Sequence, residues 1–544
     1  MIARSKDKDV AYDLVIIGSG MGGGTLAYAL RNSGLRIAVL ERGDFLPKER
    51  ENWDAEAVFG KGRYKTGETW LDSEGNEFHP AMHYFVGGST KVYGAALVRL
   101  RKEDFGNVQH AEGVSPAWPI QYEELEPYYN SAEKLFFVHG PPSGDPFGPP
   151  RSEALPFPPL EHEPYILDLQ RRLENLGLKP GYLPLGVDRQ TNGSCIRCAT
   201  CDGFPCLVDA KADADRCCVR PALKDGRVDL YTNVQIRRLV TNSSGDRIVR
   251  AEGTSQNAAF SVEASIFVVS CGAINSAALL LRSKNAAHPS GIGNSANLVG
   301  RNYMVHLNSA VLAVHATRRN PTIFQKTMVL NDFYFRGGER YQFPLGSLQL
   351  LGKSQTAMLK TVSALIPGWL ARIVAEHSID WWATSEDLPD LENRVSVTND
   401  DRIQIFWKPK NLTAHEALLK TARDLLKKLG YHAVFIQRMG IGANSHQCGT
   451  LRFGADPSSS VLDPLCRSHD VPNLYVVDGS FFPSSAAVNP ALTIAAQALR
   501  VADHIASSHA MVPETARKET SVTSTKRASN VALNESEQNK SLTN

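Results

Sequence analysis

"DLVIIGSGMGGGTLAYALRNSGLRIAVLERG" runs from Asp13 to Gly43. The apolar run Leu14–Ile17 has the continuity of a strand buried on both faces in a parallel sheet. Gly18, Gly20 and Gly23 follow in GxGxxG spacing, and the chain then continues as a helix ending at Gly34. A second apolar strand, Ile37–Leu40, delivers Glu41 at its end. Each residue type has a physical reason. Gly18 makes the tight turn, Gly20 lets the backbone approach a pyrophosphate, Gly23 lets helix pack on strand, and the helix N-terminus offers its N–H groups to the anion. Glu41, about 20 residues on, is placed to accept hydrogen bonds from an adenosine ribose. Strand, turn, helix, strand and acid in register predict a dinucleotide-binding unit.

The rest of the composition narrows the class. The chain has 544 residues, 42% hydrophobic and 21% charged, so it can bury a large core. A net charge of +2 leaves no electrostatic footprint for nucleic acid or a membrane surface. The apolar run after Lys8 is too short and too soon broken by glycine for a signal peptide or a span, which gives the expectation of a cytoplasmic protein. Residues 509–544 are rich in Ser, Thr, Lys, Asn and Glu, which predicts a disordered tail. No internal repeat is present.

The GxGxxG unit does not choose between nicotinamide and flavin dinucleotides; four further blocks do. These are "VGGSTKVYGAALVRLRKEDF" from Val86, "FVVSCGAINSAALLLRS" from Phe267, "SHQCGTLRFGADPSSSVLDP" from Ser445 and "VVDGSFFPSSAAVNPALTIAAQALR" from Val476. In this order they resemble the glucose-methanol-choline oxidoreductases, FAD enzymes that oxidise alcohols, over the chain from the first strand to about Ile505. The resemblance implies an α/β fold: a Rossmann-like FAD-binding domain (1–105, 191–305 and 441–508) with a discontinuous α+β substrate domain (106–190 and 306–440) built on an antiparallel sheet.

It also implies roles. Gly88, Ser89 and Thr90 lie against the flavin and its phosphates, Arg42 stands beside Glu41 at the adenosine end, and the Val234 backbone meets the adenine. Asp478 and Gly479 hold the ribityl and pyrophosphate portion, with Asn489 and Pro490 beside the isoalloxazine. His446 and Asn489 are the catalytic pair. A neutral histidine has the pKa to take a hydroxyl proton near pH 7. An asparagine does not titrate there, but it donates a hydrogen bond that orients the hydroxyl oxygen. Tyr93 and Lys284 depart from residues common in the family. Some relatives tether FAD through a histidine shortly after the Gly-Gly pair; none lies between Gly87 and Phe105, so FAD is expected to be non-covalent.

The middle of the chain resembles the bacterial branch with pyranose oxidases and glycoside 3-oxidases. That implies a sugar, glycoside or alcohol substrate, most simply a secondary hydroxyl taken to a ketone with oxygen as acceptor. A dehydrogenase using a quinone or protein acceptor is the alternative. Segments such as "NDFYF" and "YQFPLGSLQLLGKSQ" alternate as antiparallel strands. His315–Asp332 reads equally as a gate or a surface loop, and Leu365–Trp382 as a packed helix. Cys195, Cys198, Cys201 and Cys206 form C-x2-C-x2-C-x4-C, near a ferredoxin ligand run but with Pro205 before the last cysteine. Structural thiols, a metal or cluster, and a redox disulfide all remain open; the expectation adopted is no metal.

Overall fold

A computed structural model describes residues 12–190, 192–362, 366–443 and 445–510. The predicted first strand is Tyr12–Ile17, buried except at Asp13. It earns its unbroken apolar run by lying in mid-sheet, parallel to Ile37–Leu40 on one side and to Ala258–Val269 on the other. Val228–Tyr231 extends the sheet beyond Ile37–Leu40, and Leu474–Val476 pairs in parallel with Phe267–Val269.

The strand that opens the Phe267 block begins well before it, running from Ala258 to Val269. Its first half alternates exposed and half-buried positions because it belongs to an antiparallel meander with Ile248–Ser255 and Val234–Thr241. One strand thus serves two sheets, and its pattern changes where its environment does. Helix Met21–Leu30 stops four residues before Gly34, the intervening residues forming a turn. It packs on the C-terminal helix Ala491–Ala510. The predicted tail otherwise lies outside the described residues.

A second, six-stranded antiparallel sheet runs in the order Ala433–Arg438, Leu307–Val314, Ser378–Ser385, Ser347–Leu350, Met328–Leu330, Gly181–Tyr182. Helices Pro164–Glu174 and Leu412–Lys428 bury their apolar stripes against it, Leu169 and Leu173 from one and Leu418 and Leu426 from the other. The fold is α/β, with a parallel dinucleotide-binding sheet beside an antiparallel one. Helix Tyr122–Leu135 rests on the C-terminal helix, where Tyr129 Oη and Thr493 Oγ1 are 2.8 Å apart.

Three local expectations are corrected. "NDFYF" is a turn after Met328–Leu330. The stretch His315–Asp332 is not a surface loop throughout: Phe324 to Asn331 are buried and include a strand of the sheet. Leu365 lies outside the described residues, and of the described stretch Ile366–Trp382 only Gly368–His377 is helical. It buries the small Ala371 and Ala375 and leaves Trp369, Leu370 and Ile373 exposed, after which the chain enters Ser378–Ser385. Among the described residues, no helix is long and apolar enough to cross a membrane.

Candidate active site

The glycine turn sits at the C-terminal edge of the parallel sheet, where ligands of open α/β sheets bind. Gly18 has φ +102°, and a Cβ there would stand 2.2 Å from the Ser270 carbonyl oxygen, so no other residue fits. A Cβ on Gly23 would reach 3.0 Å from Ile16 Cγ2, the close helix–strand approach expected of it. Gly20 differs: nothing lies within 4 Å of the Cβ it lacks, so its hydrogen keeps an open space in front of the first helical turn. The first N–H groups of that helix have no partners within it and face the same space.

The loop after Val86 docks here. Gly87 N donates to Ser19 Oγ (3.1 Å), and Ser19 donates to Glu41 Oε2 from both Oγ (2.6 Å) and N (3.1 Å). Gly43 N binds Glu41 Oε1 at 3.0 Å. Glu41 is buried, and that desolvation raises its pKa. Gly88, Ser89 and Thr90 form a 3-10 turn, with Thr90 Oγ1 donating to the Gly87 carbonyl (2.5 Å). Val234 N donates to the Glu41 carbonyl at 2.9 Å, which places it beside the acid. Arg42 instead lies over the Tyr84 ring (3.7 Å) and near Glu68 (3.4 Å). Asp478 is buried; its Oδ2 accepts from Gly272 N (3.0 Å) and Ser276 Oγ (2.5 Å), its Oδ1 from Ser480 N (2.9 Å). It thereby ties the Gly479 turn to the helix Ala273–Arg282. An open space before a helix N-terminus, walled by glycine backbone and backed by a buried carboxylate, fits a dinucleotide such as FAD.

His446 and Asn489, 43 positions apart in sequence, meet: Asn489 Nδ2 is 3.2 Å from His446 Nε2. Pro490 follows Asn489 as the chain enters the C-terminal helix, where its missing N–H costs nothing. His446 has φ +64°, an uncommon backbone for a non-glycine residue and one that concentrates at functional sites. Two residues that the motifs did not single out complete the group. Met304–Val305 pairs with Gln447–Cys448 in a short antiparallel ribbon, and its register sets the next pair, His306 and His446, opposite one another. Their Nδ1 atoms are 3.0 Å apart, and His306 Nε2 is 2.9 Å from the Ser485 carbonyl oxygen. Gln349 Nε2 donates to Asn489 Oδ1 at 3.2 Å. A glutamine inside the apolar run "GSLQLL" was the available signal for Gln349; His306 had none, because strand register is not written locally.

This network has a direction. The Ser485 carbonyl can only accept, so a neutral His306 carries its proton on Nε2 and accepts at Nδ1. His446 then donates from Nδ1 and presents Nε2 as an acceptor. Burial lowers the pKa of both histidines. His446, half-buried, is held well below the ordinary 6.5 by desolvation, by His306 beside it and by the charge of Lys326. Both rings are therefore neutral at pH 7. A neutral imidazole with a bare Nε2 beside an amide N–H is a proton acceptor next to a hydrogen-bond donor.

The GMC oxidoreductase family model matches residues 13–308 and 389–498. This chain belongs to that family. It is an FAD-dependent oxidoreductase acting on CH–OH groups. It is 32% identical to 6'''-hydroxyparomomycin C oxidase of Streptomyces lividus, over 92% of each chain. Identity to the fructose dehydrogenase large subunit of Gluconobacter japonicus is 26%, over 92% of this chain and 98% of that one. The solved structure of pyridoxine 4-oxidase from Mesorbium loti superposes with a TM-score of 0.64 at 18% identity, covering 91% of this chain and 99% of that one.

The cysteine run contributes no side chain to the His306–His446–Asn489–Gln349 network, although Asp202 within it pairs with Lys326 at 2.9 Å. Lys211 Nζ pins its loop by donating to the carbonyls of Cys201 (2.8 Å) and Phe204 (2.7 Å). All nine cysteines are free thiols, and among the described residues no three His, Cys, Asp or Glu side chains are grouped to hold a metal ion.

Proposed function

We propose that this oxidoreductase takes a hydroxyl of a sugar or glycoside, most simply a secondary one, to the carbonyl. His446 is the base and Asn489 the orienting donor. The observation that carries this reading is the His446 Nε2–Asn489 Nδ2 pair, 3.2 Å apart, with its acceptor nitrogen set by His306. A substrate hydroxyl seated between them donates to Nε2 and accepts from Nδ2. As the carbon–hydrogen bond breaks, the oxygen's proton moves to His446 Nε2, and the Asn489 N–H stabilises the negative charge developing on oxygen. Bound FAD supplies the acceptor for the hydride. The cofactor residues are Gly18, Gly20, Gly23, Glu41, Arg42, Gly88, Ser89, Thr90, Val234, Asp478, Gly479, Asn489 and Pro490.

The sugar-like substrate is supported by the aminoglycoside oxidase and fructose dehydrogenase relatives. Dissociable FAD is supported by the absence of histidine from Gly87 to Phe105. Nine unpaired thiols favour a reducing, cytoplasmic setting. We assign 1–105, 191–305 and 441–508 to FAD and 106–190 and 306–440 to substrate. Oxygen is the proposed acceptor. The likeness to fructose dehydrogenase keeps a quinone or protein acceptor as the second reading. Anaerobic titration with a panel of sugars, followed by admission of air, tests both: bleaching of the flavin names the donor, and slow recovery in air favours the second reading.

A further inference from the structure

The hydrogen-bond chain through His446 does not end at Asn489. It runs from the Ser485 carbonyl through His306, His446 and Asn489 to Gln349, and each link is 3.2 Å or less. Its polarity is fixed at one end by a backbone carbonyl that has no second role, so every later group must donate in turn. Asn489 donates from Nδ2 to His446 and accepts at Oδ1; Gln349 donates from Nε2. What remains at the far end is Gln349 Oε1, an acceptor. Gln349 is 3% exposed, and its Oε1 has no hydrogen-bond partner among the described residues. Rotating the amide does not relieve this, because the Nε2 donor is already committed to Asn489 Oδ1. A buried carbonyl oxygen without a donor is costly, and in native proteins such groups are satisfied.

The strand explains why the group is there. Ser347–Leu350 is buried at every position, between Met328–Leu330 and Ser378–Ser385, with Gln349 opposite Val329 and Trp382. An apolar residue would suit that position without leaving an unpaired group. The polar one places its amide against Asn489.

We propose that Gln349 is a specificity-determining residue, and that the substrate supplies to its Oε1 a hydrogen-bond donor, a second hydroxyl or an amino group, carried on the same molecule as the hydroxyl held by His446 and Asn489. The substrate is then a polyol, sugar or amino alcohol, and a monohydric alcohol leaves the amide oxygen unpaired. This rests on the reading of His446 and Asn489 as the pair that holds the reacting hydroxyl.

Three matched probes test it with the FAD-loaded enzyme: the vicinal trans-diol of cyclohexane, its monomethyl ether, which accepts but does not donate at the second position, and cyclohexanol. Anaerobic flavin reduction is followed in the wild type and in Gln349→Leu. The wild type is expected to favour the diol over the ether and over cyclohexanol by roughly 10–10²-fold in kcat/KM, the effect of leaving one buried acceptor unpaired. In Gln349→Leu that ratio should fall to within about 3-fold, whatever happens to the absolute rates through Asn489. A ratio, unlike an overall loss of rate, does not move when a residue is merely structural. Equal reduction by all three probes in the wild type, or a preference that survives in Gln349→Leu, overturns the inference and leaves the alcohol oxidation standing. If none of the three, and no sugar of the panel, bleaches the flavin, both fall together.

Discussion

The two ends of this site are built by opposite means. The dinucleotide end is mostly backbone: Gly18, Gly20 and the first turn of a helix, with the Ser19 hydroxyl and the Glu41 carboxylate tying in the Gly87 N–H, nearly all within one stretch of sequence. The proposed catalytic end is side chains: His306, Gln349, His446 and Asn489 from four separate segments, joined by hydrogen bonds. Where the chain is tight, as at Gly18, backbone geometry tolerates no substitution, because a Cβ meets a carbonyl. A side-chain network degrades in steps, one hydrogen bond at a time. Mutations at the first end should therefore act all or none, and mutations at the second should be graded.

The largest effects test the first half of that contrast and divide it further. Gly18→Ala puts a Cβ 2.2 Å from a carbonyl at φ +102° and should give little soluble protein. Gly20→Val fills a space that the fold leaves open, so the protein should fold with a near-native circular dichroism spectrum and carry no flavin. Flavin absorbance at wild-type stoichiometry in Gly20→Val would break the assignment of that space to the cofactor.

At the chemical end, His446→Ala should keep its flavin and lose roughly 10²–10⁴-fold in the rate of flavin reduction, the range for removing a general base. Asn489→Ala should lose less, about 10²-fold, the lower part of the range for one donor to a developing oxyanion. His306→Leu is the smallest of the three. Without its acceptor, His446 redistributes its proton between its two nitrogens, and reduction should slow about 10-fold, with partial recovery in His306→Asn, whose Oδ1 can accept again. A His306→Leu variant as slow as His446→Ala would make His306 a reacting group and break the proposed order.

The same contrast governs what the sequence discloses. The turn was legible because its requirements are local: strand, glycine spacing and helix succeed one another without a gap, and Gly18, Gly20, Gly23 and Glu41 stand where the spacing places them. His446 and Asn489 were found through resemblance, not periodicity. The distance between them is closed by the ribbon register at Gln447–Cys448 and by the entry to the C-terminal helix. Their partners were missed for the same reason. His306 acts through the register of a two-residue strand, and Gln349 looks like any residue of an apolar strand until its neighbours are known. Arg42, adjacent to Glu41 in sequence, lies over the Tyr84 ring and near Glu68 in space, contacts that the sequence did not disclose. Of the long strand Ala258–Val269 only the apolar half is legible in the sequence, because its other half faces a different environment.

The central claim is that His446 accepts the hydroxyl proton as a neutral imidazole poised by its neighbours. Burial, His306 and the Lys326 charge all lower its pKa, so protonation, which blocks a base, sets in only below the ordinary 6.5. The direct test is the anaerobic rate of flavin reduction against pH, in the wild type and in His446→Ala. The account predicts a wild-type rate that is level through neutral pH and falls on the acid side below 6.5, and a much slower variant rate without that acid limb. An acid limb that persists unchanged in His446→Ala would contradict it.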